Sequence, residues 1–366
     1  MGSERGLGGG SEGWIQGPSS GGPGASACSP TYIGQPNSLP GTSGGDIDLA
    51  WGSAPLASGN YPLYVASLNG GSVAVSVSSD AGRTFRTTIA QAGLPGDDRE
   101  WIAAYGSQQS LLSFHDANGN IEVLRSTTFG GTYVLAGLAT TADNGIGNIV
   151  IDHNTGVAYQ VFASNSSAVS AARNEVFVAV SNDVGTSWTA RGIPCSISGG
   201  SLDHQFPNVS VSPGGALWAS WSDDGNVFTA TSPDRGASWS ACTRVSVNTG
   251  RAVMPWLVAG ATGVDLVYYG SPDGVTWYVY FVQDHGSGPG GWGTPAQLMP
   301  VHSGPICEDG VACTSGRQLL DDFGVDVDPQ GFAHIAYSHD SPDLDGAQTY
   351  TGYAVQVGGV AIGPPN

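Results

Sequence analysis

One eight-residue phrase recurs four times along the chain. It reads Ser78-x-Asp80-x-Gly82-x-x-Phe85, then Ser126-x-Thr128-x-Gly130-x-x-Tyr133, then Ser181-x-Asp183-x-Gly185-x-x-Trp188, and last Ser232-x-Asp234-x-Gly236-x-x-Trp239. The starts lie about 50 residues apart, the period of a four-stranded unit repeated around a ring. Each position has a physical task. The Asp carboxylate and the Ser hydroxyl accept backbone N–H bonds inside a tight turn. Glycine supplies the positive φ that such a turn requires. The closing aromatic covers the turn with apolar area. The second copy has Thr128 in the Asp place, so its turn is expected to be held more weakly.

The stretches between the phrases alternate apolar and polar residues or are rich in β-branched and aromatic ones. They are separated by turn clusters such as Asn118-Gly119, Asp224-Gly225 and Asn248-Thr249-Gly250. No helical periodicity appears. Inner strands are expected near Asp48–Trp51, Arg99–Tyr105, Asn148–Asp152, Phe206–Val211, Met254–Val258 and Phe323–Val327. They predict an all-β fold, a single six-bladed β-propeller of four-stranded antiparallel blades over residues 46–366. Residues 1–45, rich in Gly, Ser and Pro, read as a partly disordered arm. The stretch Ser271-Pro272-Asp273-Gly274-Val275-Thr276-Trp277 is one residue short of the phrase. It falls between second and third strands, so it reads as a look-alike hairpin. Blade six has no copy, and its last strand is expected from Val360-Ala361-Ile362 or from the N-terminal arm.

The phrase resembles the Asp-box, or bacterial neuraminidase repeat, of the sialidase-like β-propellers. Asp98-Arg99-Glu100-Trp101-Ile102 and His302-x-Gly304-x-Ile306-Cys307, with Cys313 and Arg317, resemble phrases of secreted bacterial members of that group. The resemblance covers roughly residues 46 to 358. It implies the fold strongly and the activity weakly, because Asp-boxes also occur in lyases, receptors and assembly factors.

The formal net charge is −19, and all 11 basic residues are Arg. That argues against nucleic acid or an anionic membrane surface as partner. No apolar run reaches the length of a membrane span. No Cys/His cluster with zinc spacing is present. No cofactor is required by this pattern, and calcium bound in the acidic loops is the alternative to a merely solvated acidic surface. Cys307 and Cys313 share one loop, and Cys195 and Cys242 fall at equivalent places in consecutive blades, so two disulfides are expected. Such pairing suits an extracellular, secreted protein, although Met1-Gly2-Ser3-Glu4-Arg5 shows no signal peptide core. A monomer is expected.

In a propeller the third-to-fourth turns, which carry the phrase, share one face. The second-to-third turns and the crossovers share the other, and a ligand site is expected there. That face receives Asp46, Asp48, Asp98, Arg99 and Glu100, then Asp203, His204 and Gln205, then Arg251, and then Arg317, Asp321 and Asp322. The turns add His115, Asp116, Asp223, Asp224, Asp343 and Asp345.

The sialidase resemblance implies a mechanism for an anionic glycan. Arginines grip the substrate carboxylate with planar donor forks, a Tyr activated by a Glu is the nucleophile, and an Asp is the acid/base. Arg99, Arg251 and Arg317 are the candidate grip. Asp98 and Asp322 are acid/base candidates, Glu100 the base, Tyr350 or Tyr353 the nucleophile, and His204 a further polar contact. The alternative is that each arginine staples neighbouring blades through a carboxylate: Arg99 to Asp48, Arg251 to Asp203, Arg317 to Asp321. The phrase Phe/Tyr-Arg-Ile-Pro that precedes the first Asp-box in true sialidases is absent. The expectations for function are therefore a sialidase-like exo-glycoside hydrolase, a propeller polysaccharide lyase using His204, or a non-catalytic propeller that binds a glycan or protein.

Overall fold

The computed structural model describes the chain except residues 5–10, 16–21, 24–29, 37–45, 69–71, 92–96, 171, 286–290, 309–312, 318, 320–322 and 341–347. Six antiparallel sheets follow one another in chain order, and the chain is a six-bladed β-propeller. Blade one is built from Ile47–Trp51, Leu63–Leu68, Val73–Ser78 and Arg86–Gln91. Blade two comprises Asp98–Tyr105, Gln109–His115, Ile121–Ser126 and Val134–Thr140. Blade three comprises Asn144–Ile151, Ala158–Ser164, Glu175–Ser181 and Thr189–Gly192. Blade four comprises Asn208–Val211, Leu217–Ser222, Val227–Ser232 and Thr243–Arg244. Blade five comprises Arg251–Ala259, Val264–Ser271, Thr276–Asp284 and Ala296–Ser303. Blade six shows three strands among the described residues, Gly324–Val327, Ala333–Asp340 and Thr349–Val355. The only helix among the described residues is a 3-10 turn, Pro194–Ser196.

The chain divides into two compact units, one of residues 1–18, 29–160 and 178–191 and the other of the remainder. In the first, Tyr64, Leu112, Phe114 and Leu124 form a core between the sheets of blades one and two. In the second, Trp277, Val279, Phe323 and Tyr337 do the same for blades five and six. The middle strands are nearly continuous apolar runs because both of their faces are covered.

The repeated turn is built as its residues require. Ser78, Ser181 and Ser232 each accept the N–H of the Gly four residues on at 2.8 Å and donate to the neighbouring carboxylate. Asp183 then takes the N–H of Ser187 at 2.8 Å and its hydroxyl at 2.6 Å. These bonds, led by the Ser187 and Thr84 hydroxyls, hold the carboxyls of Asp183 and Asp80 down at about 2. The phrase therefore has one more fixed position than expected, a Thr or Ser directly before the aromatic. The turns of blades two and three also meet the blade before them, Gly130 against Val77 and Gly185 against Leu111. A Cβ on Gly130 would come within 2.5 Å of Val77, so this glycine is required for close approach as well as for its φ of 64°.

Thr128 accepts its Thr132 N–H at 3.1 Å with no carboxylate to share the load. Substituting Thr128→Asp is expected to stabilise the protein by about 0.5–1.5 kcal/mol, read as a higher denaturant midpoint at pH 7.

The look-alike at Ser271–Thr276 joins the second and third strands, as expected. Asp273 accepts from Val275 and Thr276 at 2.9 and 2.7 Å. The C-terminal end departs from expectation. Residues 360–362 form no strand. Ile362 is fully buried, donates to Gly331 and accepts from Thr262, while Asn366 reaches Ser212 at 3.0 Å. The C-terminal tail thus runs past the first-to-second turns of blades six, five and four. At the other end, Gly2–Glu4, Ser11–Ile15 and Thr31–Gly34 make a sheet of their own.

Both disulfides form, Cys195–Cys242 and Cys307–Cys313. The first joins the ends of blades three and four, and the second closes a short loop in the crossover from blade five to blade six.

Candidate functional site

The inner strands of blades two and five begin alike. Arg99 has φ 62° and Met254 has φ 53°, each in a bulge where pairing skips residues between Asp98 and Trp101 or between Val253 and Trp256. Three residues beyond each bulge, a backbone N–H is caught by the preceding blade. Asp48 Oδ2 takes Ile102 N at 2.8 Å, and Asn208 Oδ1 takes Leu257 N at 3.0 Å. Bulges re-aim side chains and collect at functional sites. In blade two this one sends Arg99 and Glu100 toward Asp46 and Asp48.

The Arg99 side chain is 12% exposed, and its Nε lies 3.8 Å from Asp46. Its pairing partner is therefore Asp46, while Asp48 is spent on the backbone. Burial drives the Asp48 carboxyl up to about 7 against the lowering effect of its two backbone bonds. Glu100 is buried, and neither of its carboxyl oxygens has a hydrogen-bond partner among the described residues. Burial, and then the charges of Asp46, Asp98 and Asp48, hold it well above the usual carboxylate range. Asp98 is exposed and accepts the N–H of Arg99 at 3.1 Å. Asp97, beside it, is raised to about 6 by burial and by Asp116. In the same unit His115 bonds Asn144 at 2.5 Å, and Asn144 bonds Gly119 and Ala142. That group closes a turn.

In the second unit, four residues from three crossovers and one hairpin converge. Arg251 opens the inner strand of blade five. Its Nε donates to Asp224 at 2.7 Å, and its Nη2 lies 2.6 Å from Asp224 and 3.1 Å from Glu308. His204 Nδ1 lies 3.4 Å from the same Glu308 oxygen. Burial alone would lower His204, but its bond to Glu308 and the charges of Glu308, Asp224 and Asp203 raise it. The backbones are tied as well: Ala252 N donates to Asp224 O, Met254 N to His204 O, and the Gln205 side chain to Glu308 O. Beneath them the Arg251 guanidinium sits 5.1 Å over the Trp277 ring, a cation–π contact. Arg251 thus pairs with Asp224 and Glu308, whereas Asp203 pairs with Arg173.

The other expected residues stand apart from these groups. Arg317 is half-buried in the crossover that carries Cys307–Cys313 and makes no ion pair with a described residue. Asp321, Asp322, Asp343 and Asp345 lie outside the described residues. Tyr350 is 43% exposed on the last described strand of blade six. Its hydroxyl donates to Gln348, its ring stacks on His339 at 5.8 Å, and no described Glu touches it. Tyr353 bonds His334. Trp101, Trp221 and Trp277 are buried in the sheets.

Two participants were missed from the sequence, Glu308 and Trp277. Glu308 directly follows Cys307, and an acid pinned beside a small disulfide loop is a legible signal. Trp277 follows the look-alike hairpin and passes there for a turn cover.

No protein-family model matches the chain, and comparison with curated proteins finds no match. Among solved structures the chain is similar to a Niastella koreensis GH74 enzyme, at 18% identity over 84% of this chain and 46% of that one, with a TM-score of 0.49. It is similar to the Hadza microbial sialidase Hz136, at 14% identity over 84% and 65% of the two chains, with a TM-score of 0.48. It is also similar to the Aleuria aurantia lectin in complex with alpha-methyl-L-fucoside, at 14% identity over 88% and 97%, with a TM-score of 0.47.

Proposed function

We propose that this chain is an extracellular, non-catalytic propeller of the Asp-box class that binds a glycan on the face of its crossovers and second-to-third turns. Support for the class comes from the repeated turn, whose Ser, Asp and Gly make the same bonds in blades one, three and four. The two disulfides fit an oxidising setting. The observation that carries the binding reading is the state of the arginines. Arg251 spends its donors on Asp224 and Glu308, and Arg99 faces Asp46. A substrate carboxylate arriving at Arg251 would meet two carboxylates already in place. An anionic sugar gripped by free guanidinium groups is poorly served by that arrangement.

A second reading, the sialidase-like exo-glycoside hydrolase, draws on Glu100. A buried carboxyl whose proton affinity is raised by burial and by the charges of Asp46 and Asp48 has the character of a general acid. Two measurements separate the readings. The secreted protein is passed over a glycan array, and it is assayed with fluorogenic sialosides and uronate polymers. Retention on a glycan without turnover is expected. Turnover that disappears in Glu100→Gln would overturn the binding reading in favour of hydrolysis.

A further inference from the structure

We propose that His204, Asp224 and Glu308 form a binding site for one divalent transition-metal ion, for which Arg251 is the built-in competitor. This stands apart from whether the face takes a glycan. A ring nitrogen of His204 and one carboxylate oxygen each from Asp224 and Glu308 lie within 4.8 Å of one another. Ligands at about 2.1 Å in a tetrahedral shell are spaced roughly 3.4 Å apart, so modest side-chain rotations close the site. The Asp224 side chain, 41% exposed, has the freedom to make them. The backbones behind the ligands are fixed by the three bonds from Ala252, Met254 and Gln205.

A second observation points to a missing ligand. Glu308 Oε2 faces Arg251 and His204, but Glu308 Oε1 is enclosed and has no hydrogen-bond partner among the described residues. Half of that carboxylate is left unsatisfied, which costs free energy in a largely desolvated place. A metal ion held at this carboxylate would offset that cost.

The donor set selects the ion. One imidazole nitrogen with two carboxylates suits zinc or manganese, with positions left for water. Calcium asks for six to eight oxygens and is poorly matched here. Arg251 supplies the positive charge while the ion is away. When the ion arrives, the guanidinium must leave the shared oxygens, and the Trp277 face at 5.1 Å remains to hold it. Arginine and metal therefore exclude each other at the same carboxylates.

The test is equilibrium dialysis and titration calorimetry of the whole chain, free of purification tags and stripped with chelator, against zinc, manganese and calcium chlorides at pH 7.5. One equivalent of zinc or manganese per chain is expected, with calcium at least tenfold weaker. Glu308→Gln and Asp224→Asn should each weaken binding at least tenfold, and Arg251→Gln should strengthen it several-fold. Thermal melts in chelator establish that each variant is folded. If Glu308→Gln does not fold, the more exposed Asp224→Asn decides. Absence of stoichiometric uptake, preference for calcium, or an affinity indifferent to Asp224→Asn would overturn the proposal.

Discussion

Trp277→Ala is expected to destabilise the protein by about 3–5 kcal/mol, seen as a large drop in the guanidinium midpoint. The indole is fully buried in the core that blades five and six share, packed with Val253, Met254 and Phe323. Its Nε1 donates to Gly304 O at 2.9 Å, and its face carries the Arg251 guanidinium. Alanine leaves a cavity, an orphaned carbonyl at the start of the Cys307–Cys313 crossover, and an arginine without its support. Trp277→Phe divides these contributions. It keeps most of the apolar area and loses the N–H, so about 1–2 kcal/mol is expected. An equal loss in the two variants would mean that the hydrogen bond, and not the packing, dominates. A loss under 1 kcal/mol in Trp277→Ala would show that the core collapses around the gap.

The fold was legible because it is written in repeats. A turn that needs a carboxylate, a hydroxyl and a glycine at fixed offsets leaves a trace wherever it occurs, and the strands between turns follow from alternation. The inner strands of blades two and five were placed to within a few residues for that reason. The C-terminal end was not legible, since Val360-Ala361-Ile362 has the composition of a strand but is used as a clip. Ile362 is buried among turns, and an apolar triplet does not announce which neighbour it will meet. The arginine partners were also misassigned. Stapling to a carboxylate of the neighbouring blade offered Asp48 to Arg99 and Asp203 to Arg251. Asp48 turns instead to the Ile102 N–H, and Asp203 goes to Arg173. Charges that converge from separate crossovers carry no periodic signal, so Glu308 came into view only when the chain was folded.

Asp48→Asn is expected to stabilise the protein strongly at pH 8 and to change little below pH 4. The folded carboxyl is held at about 7 by burial, against 3.8 ordinarily. A carboxyl raised in the fold contributes stability that is fully present below its unfolded value and is lost as pH climbs through the folded one. At pH 8 that loss is on the order of 4 kcal/mol. Asparagine keeps an oxygen for the Ile102 N–H, gives up the acceptor for the Leu49 N–H much as the protonated acid does, and carries no charge to bury. Blade four already uses this solution, where Asn208 Oδ1 holds Leu257 N. Glu100 reinforces the argument, because burial and the nearby carboxylates raise its proton affinity as well, and the matching place in the bulge of blade five holds the uncharged Pro255. Glu100→Gln should therefore also gain stability at pH 8 and not at pH 4. Asp265, likewise raised to about 7 by burial, adds to the same trend in the other unit. The turn carboxyls act in the opposite direction. Asp80 and Asp183, held near 2, contribute stability above about pH 4 that is lost as pH falls toward 2. The wild-type chain is thus most stable between these ranges, near pH 4–5, and urea midpoints measured from pH 3 to pH 9 should peak there. A midpoint that rises steadily from pH 5 to pH 8, with Asp48→Asn no more stable than wild type at the upper end, would mean that Asp48 is ionised in the fold and that its charge is compensated by its two backbone donors.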